Sequence, residues 1–462
     1  MLFDEFTVYR IYSIQNKERV MKTVRTQFTN GRYTKMKLKK KSKFAAMLLT
    51  AAVALSLTAC QSKGNDETVN SAEFEAFKQC AKSISDINIP KNVRIVALGE
   101  ATHGNNEFQK MKLSVFKQLV ATTPVRAFAL EGDMGGCAII NNYIQGGEGT
   151  AEDVVRYLGY RIYKTDNMVE LIKWMREYND EAENEDKVRL YGLDIQYTDY
   201  AVSFLNNYFE KVDAGNASQY ASDIESYFGI EDCSYDPSKK DEIISFVDSM
   251  TAMMDSNREN YVTLEGEDNF DIARRVLQNL SNCVNYREGG YSGKFRDTCM
   301  KDNALWMLNI EETRHSSKLM MSTHNGHMTK NMSSTNTYLG YFLYEELGDD
   351  YYAIGTDFYN TLVNLPDGNQ SRGNYEFCSD DKLALMVRDM PENEYYIDFK
   401  VARENETLAS LINNPMPTGT LGESYSSAMK FAKAMYQINY APADMYDSMI
   451  LVYDATPIEI KY

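Results

Sequence analysis

Val93-Arg94-Ile95-Val96-Ala97-Leu98-Gly99-Glu100-Ala101-Thr102-His103-Gly104 opens on an apolar run and closes on a carboxylate and an imidazole three positions apart. The apolar half has the length and the β-branched content of a strand buried on both faces. Strands of that kind lie in parallel sheets flanked by helices. Six further segments read the same way: 127–130, 188–193, 318–322, 351–354, 395–399 and 449–452. Helical spacing falls between several of them, at 107–121, 168–179 and 298–312. Strands alternating with helices predict an α/β fold with a mainly parallel central sheet.

The segment from about 200 to 290 breaks the alternation. It has no buried strand, is rich in Asp, Asn, Ser and Tyr, and repeats its apolar residues at helical spacing. It is expected to be a helical insertion, joined to the next helix by Gly289-Gly290-Tyr291-Ser292-Gly293. A short amphipathic helix is expected over 71–83. No internal repeat is evident.

The N-terminus reads as a targeting segment. Lys37, Lys39, Lys40, Lys41 and Lys43 precede an apolar stretch, 44–57, that is short for a membrane span. It ends in Leu57-Thr58-Ala59-Cys60, followed by a polar tether. That ending resembles a bacterial lipobox, which implies cleavage before Cys60, lipidation of Cys60 and anchoring of an exported protein to the cell membrane. Met36 is the expected start, with the residues before it an upstream extension. The expected organisation is therefore 1–59 extension and signal, 60–90 tether and short helix, and 91–462 the α/β domain.

Residues 1–59 carry 12 Lys and Arg against 3 Asp and Glu, so that segment is net +9; the chain is −17, which leaves −26 for the remainder. So acidic a surface excludes nucleic acid as a partner and points to a small neutral or cationic substrate, or simply to solubility. Apart from Cys60, the cysteines are Cys80, Cys137, Cys233, Cys283, Cys299 and Cys378. They form no C-x-x-C pair, so no zinc ribbon is expected, and at most one disulfide. Oligomeric state is not legible.

In open parallel sheets ligands bind beyond the carboxyl ends of the strands. The first strand is followed by Glu100 and His103, the second by Glu131, the third by Asp194, and the fourth by His324-Asn325-Gly326-His327. The chain has four histidines, and three of them lie in two of these turns; the fourth is His315. Gly99, Gly104 and Gly326 frame the turns and permit close approach of backbone. On the following helix, Phe108, Lys112, Val115, Phe116 and Leu119 share one face, so Lys112 is a cation on an apolar stripe. It either snorkels at the edge of that face or points into the acidic site to steady an oxyanion.

These stretches resemble the erythromycin esterase family. The likeness is carried by VRIVALGEATHGNNEF (93–108), RAFALEGD (126–133), ELIKWMREYN (170–179), KVRLYGLDIQ (187–196), STHNGHM (322–328) and YYAIG (351–355). The resemblance implies an ester hydrolase in which His103 is the general base that activates water. It implies that Glu100 supports His103 and that Glu131, His324 and Lys112 complete the catalytic set; His327, Asp194 and Asn325, in the same strand-end turns, are expected to face a small-molecule ester. Lys112 stands where the macrolide-hydrolysing members carry Arg, and lysine lacks the planar two-pronged donor.

A serine mechanism is disfavoured: the chain has no G-x-S-x-G, and Gly422-Glu423-Ser424-Tyr425-Ser426 lacks the last glycine. No cofactor is expected. Two other readings stay open on the sequence. One is a divalent metal held by Glu100, His103, Glu131 and His324 or His327. The other is a lipoprotein that binds a ligand without turning it over. The 33 tyrosines are compatible with an aromatic wall for a sugar or macrolide, or with ordinary packing.

Overall fold

The computed structural model describes residues 69–230, 233–314, 316–331 and 338–462. The signal, Cys60 and His315 lie outside the described residues. The strands are β1 Ile95–Glu100, β2 Val125–Asp133, β3 Arg189–Asp194, β4 Lys318–His324, β5 Tyr351–Pro366, β6 Arg372–Cys378, β7 Glu394–Asp398, β8 Met416–Gly419, β9 Gln437–Tyr440 and β10 Ser448–Ala455.

The main sheet has the order β3-β2-β4-β1-β5-β10-β7, with β6 paired to β5. All neighbours from β3 through β10 run parallel. Two antiparallel additions complete it, β7 on β10 and β6 on β5. The fold is thus α/β with a mostly parallel sheet. β1 lies in the middle, and every residue of it is buried, as its unbroken apolar run requires. Helices Asn106–Thr122 and Asp166–Glu181 cover one face, burying Phe108, Val115, Phe116, Leu119, Leu171 and Ile172 in the same core as Val96, Leu98 and Phe128.

The region expected as a helical insertion holds helices Ala201–Val212, Ala217–Glu225, Lys240–Ser256, Arg258–Glu265 and Glu267–Glu288. The joint that follows is a turn with positive φ at Gly290 and Tyr291. Ser292 then caps helix Gly293–Thr313, accepting from the Phe295 N–H.

Three elements depart from the sequence reading. β5 is 16 residues long rather than the four of 351–354. Its outer half and β6 form a hairpin in which buried residues are interrupted by half-exposed and exposed ones, so no apolar run marks them. Helix Met134–Ile144 opens on Gly135-Gly136, which hides it from propensity. The short pair β8-β9 comes from 416–440, a stretch in which the sequence shows no strand signature. The six described cysteines are free thiols. No helix among the described residues is long and apolar enough to cross a membrane.

Candidate active site

Parallel register aligns the strand ends. Glu100 of β1 pairs with His324 of β4, Leu130 of β2 with Ser322 of β4, and Asp133 of β2 with Asp194 of β3. The carboxylates and imidazoles noted after each strand therefore meet along one edge of the sheet. Two glycines make the approach possible. A Cβ at Gly99 would stand 2.0 Å from Asn325 Oδ1, and one at Gly104 would stand 2.3 Å from the Asn364 carbonyl oxygen.

Glu100 is fully buried and central. Its Oε1 accepts from the Lys112 ammonium at 2.7 Å and from the Tyr163 hydroxyl at 3.3 Å. Its Oε2 lies 3.3 Å from His103 Nδ1. Burial pushes this carboxyl up, but Lys112 and His103 override burial and hold it at about 2. Glu100 is thus a permanent anion against His103, and it fixes the proton of that ring on Nδ1. Among the described residues His103 Nε2 has no hydrogen-bond partner, so its lone pair is open. Burial lowers the His103 pKa, but Glu100, Glu131 and Glu423 outweigh burial and raise it above its ordinary value.

Lys112 does not snorkel. It is fully buried, 5.3 Å from the centre of the Tyr163 ring. Burial outweighs Glu100 and lowers its pKa. Its ammonium is committed to Glu100, which corrects the expectation of an oxyanion-steadying role.

The second half of the site is organised by a residue that the sequence reading missed, Arg296 on helix Gly293–Thr313. Its Nε and Nη2 donate to Asp194 at 2.8 and 2.7 Å, Nη2 also donates to Glu131 at 2.7 Å, and Nη1 lies 2.9 Å from His327 Nε2. His327 Nδ1 lies 2.8 Å from Asp297 Oδ1; burial lowers the ring's pKa, but Asp297 and Glu131 outweigh burial and raise it. Glu131 also accepts from the His324 backbone N–H at 2.9 Å. Burial raises Glu131, but His327, Arg296 and His103 together carry it well below the carboxylate range. An arginine in the first turn of a helix of mixed polarity has no local signature; only the fold brings it to β2 and β3.

Three expected site residues are held away from a reacting role. His324 Nδ1 accepts from the Gly326 N–H at 3.1 Å, and Nε2 donates to the Leu421 carbonyl at 3.1 Å. With both nitrogens engaged the ring is neutral; burial, then the nearby His103, lower its pKa to about 4. It packs on His103 with ring centres 5.1 Å apart. Asn325 is likewise engaged at both ends of its amide, donating to the Thr356 carbonyl at 2.7 Å and accepting from the Thr356 N–H at 3.2 Å. Asp194 is fully buried, holding Arg296, the Tyr160 hydroxyl and the Ile195 and Gln196 N–H groups. These two residues are struts of the site rather than substrate contacts.

The last third of the chain supplies a wall. The Leu421 N–H donates to the Ala101 carbonyl at 3.0 Å, and its carbonyl holds His324. Two residues on, Glu423 pairs with Arg372 of β6. Its charge contributes to raising His103.

The donor set does not favour a metal. Glu100 and Glu131 are neutralised by Lys112 and Arg296, and both His324 nitrogens are engaged. No group of three or more His, Cys, Asp or Glu side chains among the described residues is arranged to hold an ion.

The erythromycin esterase profile matches residues 120–455. The chain belongs to the erythromycin esterase family. A curated relative, erythromycin esterase type II of Escherichia coli, is 24% identical over 319 residues, 62% of this chain and 73% of that protein. Among solved structures, a Bacillus cereus protein superposes with a TM-score of 0.69 at 20% identity, covering 85% of this chain and 99% of that one. A succinoglycan biosynthesis protein gives 0.66 at 18%, covering 86% and 100%. A histidine-to-asparagine mutant of erythromycin esterase EreC in its open conformation gives 0.51 at 15%, covering 79% and 91%. These neighbours share the α/β fold with this family member. The family is one of esterase-like hydrolases.

Proposed function

We propose that the protein hydrolyses a carboxylic ester with water activated by His103. The observation that carries this reading is the ring's asymmetry: Nδ1 faces a buried, permanently ionised Glu100, while Nε2 is open. A water beside Nε2 gives up its proton to the imidazole as its oxygen bonds to the ester carbonyl carbon. The resulting imidazolium is stabilised by Glu100, as a carboxylate stabilises the base of a catalytic triad. When the tetrahedral intermediate collapses, the carbon–oxygen ester bond breaks and the proton on Nε2 passes to the departing alkoxide. The products are an acid and an alcohol. His324 acts as a positioning residue, holding the Leu421 wall against the base.

The ester is a macrolide lactone or another acyl ester. The export signal and lipidated Cys60 would place the enzyme at the cell membrane, where an ester is met outside the cytoplasm. The test is turnover of erythromycin and a panel of acyl-sugar esters, read by mass spectrometry as a product one water heavier or as released acid. His103→Ala is expected to lower kcat by about 100-fold or more, the usual contribution of a general base. Chelator is expected to leave the rate unchanged. Undiminished turnover in His103→Ala would overturn the mechanism, and chelator-sensitive turnover would restore the metal reading.

A further inference from the structure

A cavity of about 340 Å³ lies along helix Met134–Ile144, away from His103, between that helix, the 147–157 segment and helix Ala201–Val212. Its size falls at the small end of ligand pockets. Its lining combines rings with two exposed amides and one buried hydroxyl. Tyr143, Tyr157 and Phe204 supply the rings. Arg176 stacks 5.1 Å from the centre of Tyr143, and Arg156 the same distance from Tyr157, so both rings are held in place. The amides of Asn142 and Asn207 make no side-chain hydrogen bond among the described residues. The Tyr208 hydroxyl is buried with no partner, in a side chain 4% exposed. Such a hydroxyl has lost water without a replacement, which is costly unless something else bonds it.

The charges in the lining select the ligand class. Glu148, Asp153 and Glu265 face Arg156 and Lys211, a net of one negative charge. Lys211 is paired with Glu265 at 3.1 Å, and Arg156 donates to the Tyr157 hydroxyl at 3.3 Å. With Lys211 paired and three carboxylates against two cations, the lining offers no net positive charge to a phosphate or carboxylate. Free amides, an orphan hydroxyl and aromatic rings match a neutral molecule with many hydroxyls on an otherwise apolar ring. Each hydroxyl both donates and accepts, and the C–H faces pack on tyrosine.

We propose that this cavity is a binding site for a neutral saccharide, separate from the ester-cleaving site. The proposal does not depend on the esterase reading. Saturation-transfer NMR and calorimetry on the purified protein would use glucose, galactose, mannose, N-acetylglucosamine and maltose, with glucose 6-phosphate as the anionic comparison. At least one neutral sugar is expected to bind with Kd of about 1 mM or tighter, and the phosphate ester more weakly. Asn207→Trp places an indole in the cavity from an exposed position and is expected to abolish binding without lowering thermal stability. Tyr208→Phe is expected to weaken binding about fivefold, the effect of one lost hydrogen bond. His103→Ala is expected to bind unchanged. Absence of binding by every neutral sugar, binding that survives Asn207→Trp, or binding lost in His103→Ala would overturn the assignment.

Discussion

Replacing Lys112 by methionine keeps the unbranched stem, one atom shorter, and removes its charge. In the folded protein Lys112 Nζ lies 2.7 Å from Glu100 Oε1, with side-chain exposures of 0% and 1%. At an effective dielectric of about 20 the attraction over that distance is about 6 kcal/mol before desolvation is subtracted. The methionine variant leaves Glu100 buried with only Tyr163 and His103 to bond it. Breaking one side of a buried pair costs about 3–5 kcal/mol, because the remaining charge is stranded. Urea unfolding at pH 7 is the assay, and a loss in that range is expected. Adding Glu100→Gln removes the stranded charge, so the double variant is expected to recover most of that stability. It is not expected to recover hydrolysis, because His103 then has no carboxylate behind it. A loss below about 1 kcal/mol in Lys112→Met would be that of an exposed pair and would refute the reasoning. Equal loss in single and double variants would refute the pairing itself.

Further expectations follow from the same geometry. His103 must be neutral to take a proton and its pKa is raised, so hydrolysis falls as pH drops through a midpoint above 6.5. Glu423→Gln removes one of the anions that raise it, and a pH–rate profile should show that midpoint moving down; an upward move would contradict the placement of Glu423. Arg296→Lys replaces a fork that serves Asp194, Glu131 and His327 by a single ammonium; chemical denaturation should show a loss of about 2–4 kcal/mol, with hydrolysis reduced in parallel. Stability equal to wild type would mean that Arg296 does not organise the rim. Cys60→Ala should abolish labelling by radioactive palmitate and release the protein from the membrane fraction, and retained labelling would reject Cys60 as the lipid acceptor.

The sequence by itself determined the α/β fold and the edge of the sheet where the chemistry gathers. Buried parallel strands read as unbroken apolar runs, and the polar residues directly after them stand out against those runs. Glu100, His103, Glu131 and His324 were legible for that reason. Which polar atoms of these residues stay open was decided by tertiary structure. Register between β1 and β4 set Glu100 beside His324, but the Leu421 carbonyl, 97 residues further on, occupied the His324 Nε2. Asn325 and Asp194 sat in the right turns, yet Thr356 and Arg296 took up their polar atoms. Arg296 left no trace in local pattern, because its three partners come from β2, β3 and the turn after β4. The β5-β6 hairpin and the β8-β9 pair were hidden for a related reason: their stability comes from neighbours in the last third of the chain rather than from an apolar run of their own. Local periodicity reports how a segment meets the core, whereas ion pairs and walls depend on which distant segments the sheet order brings together.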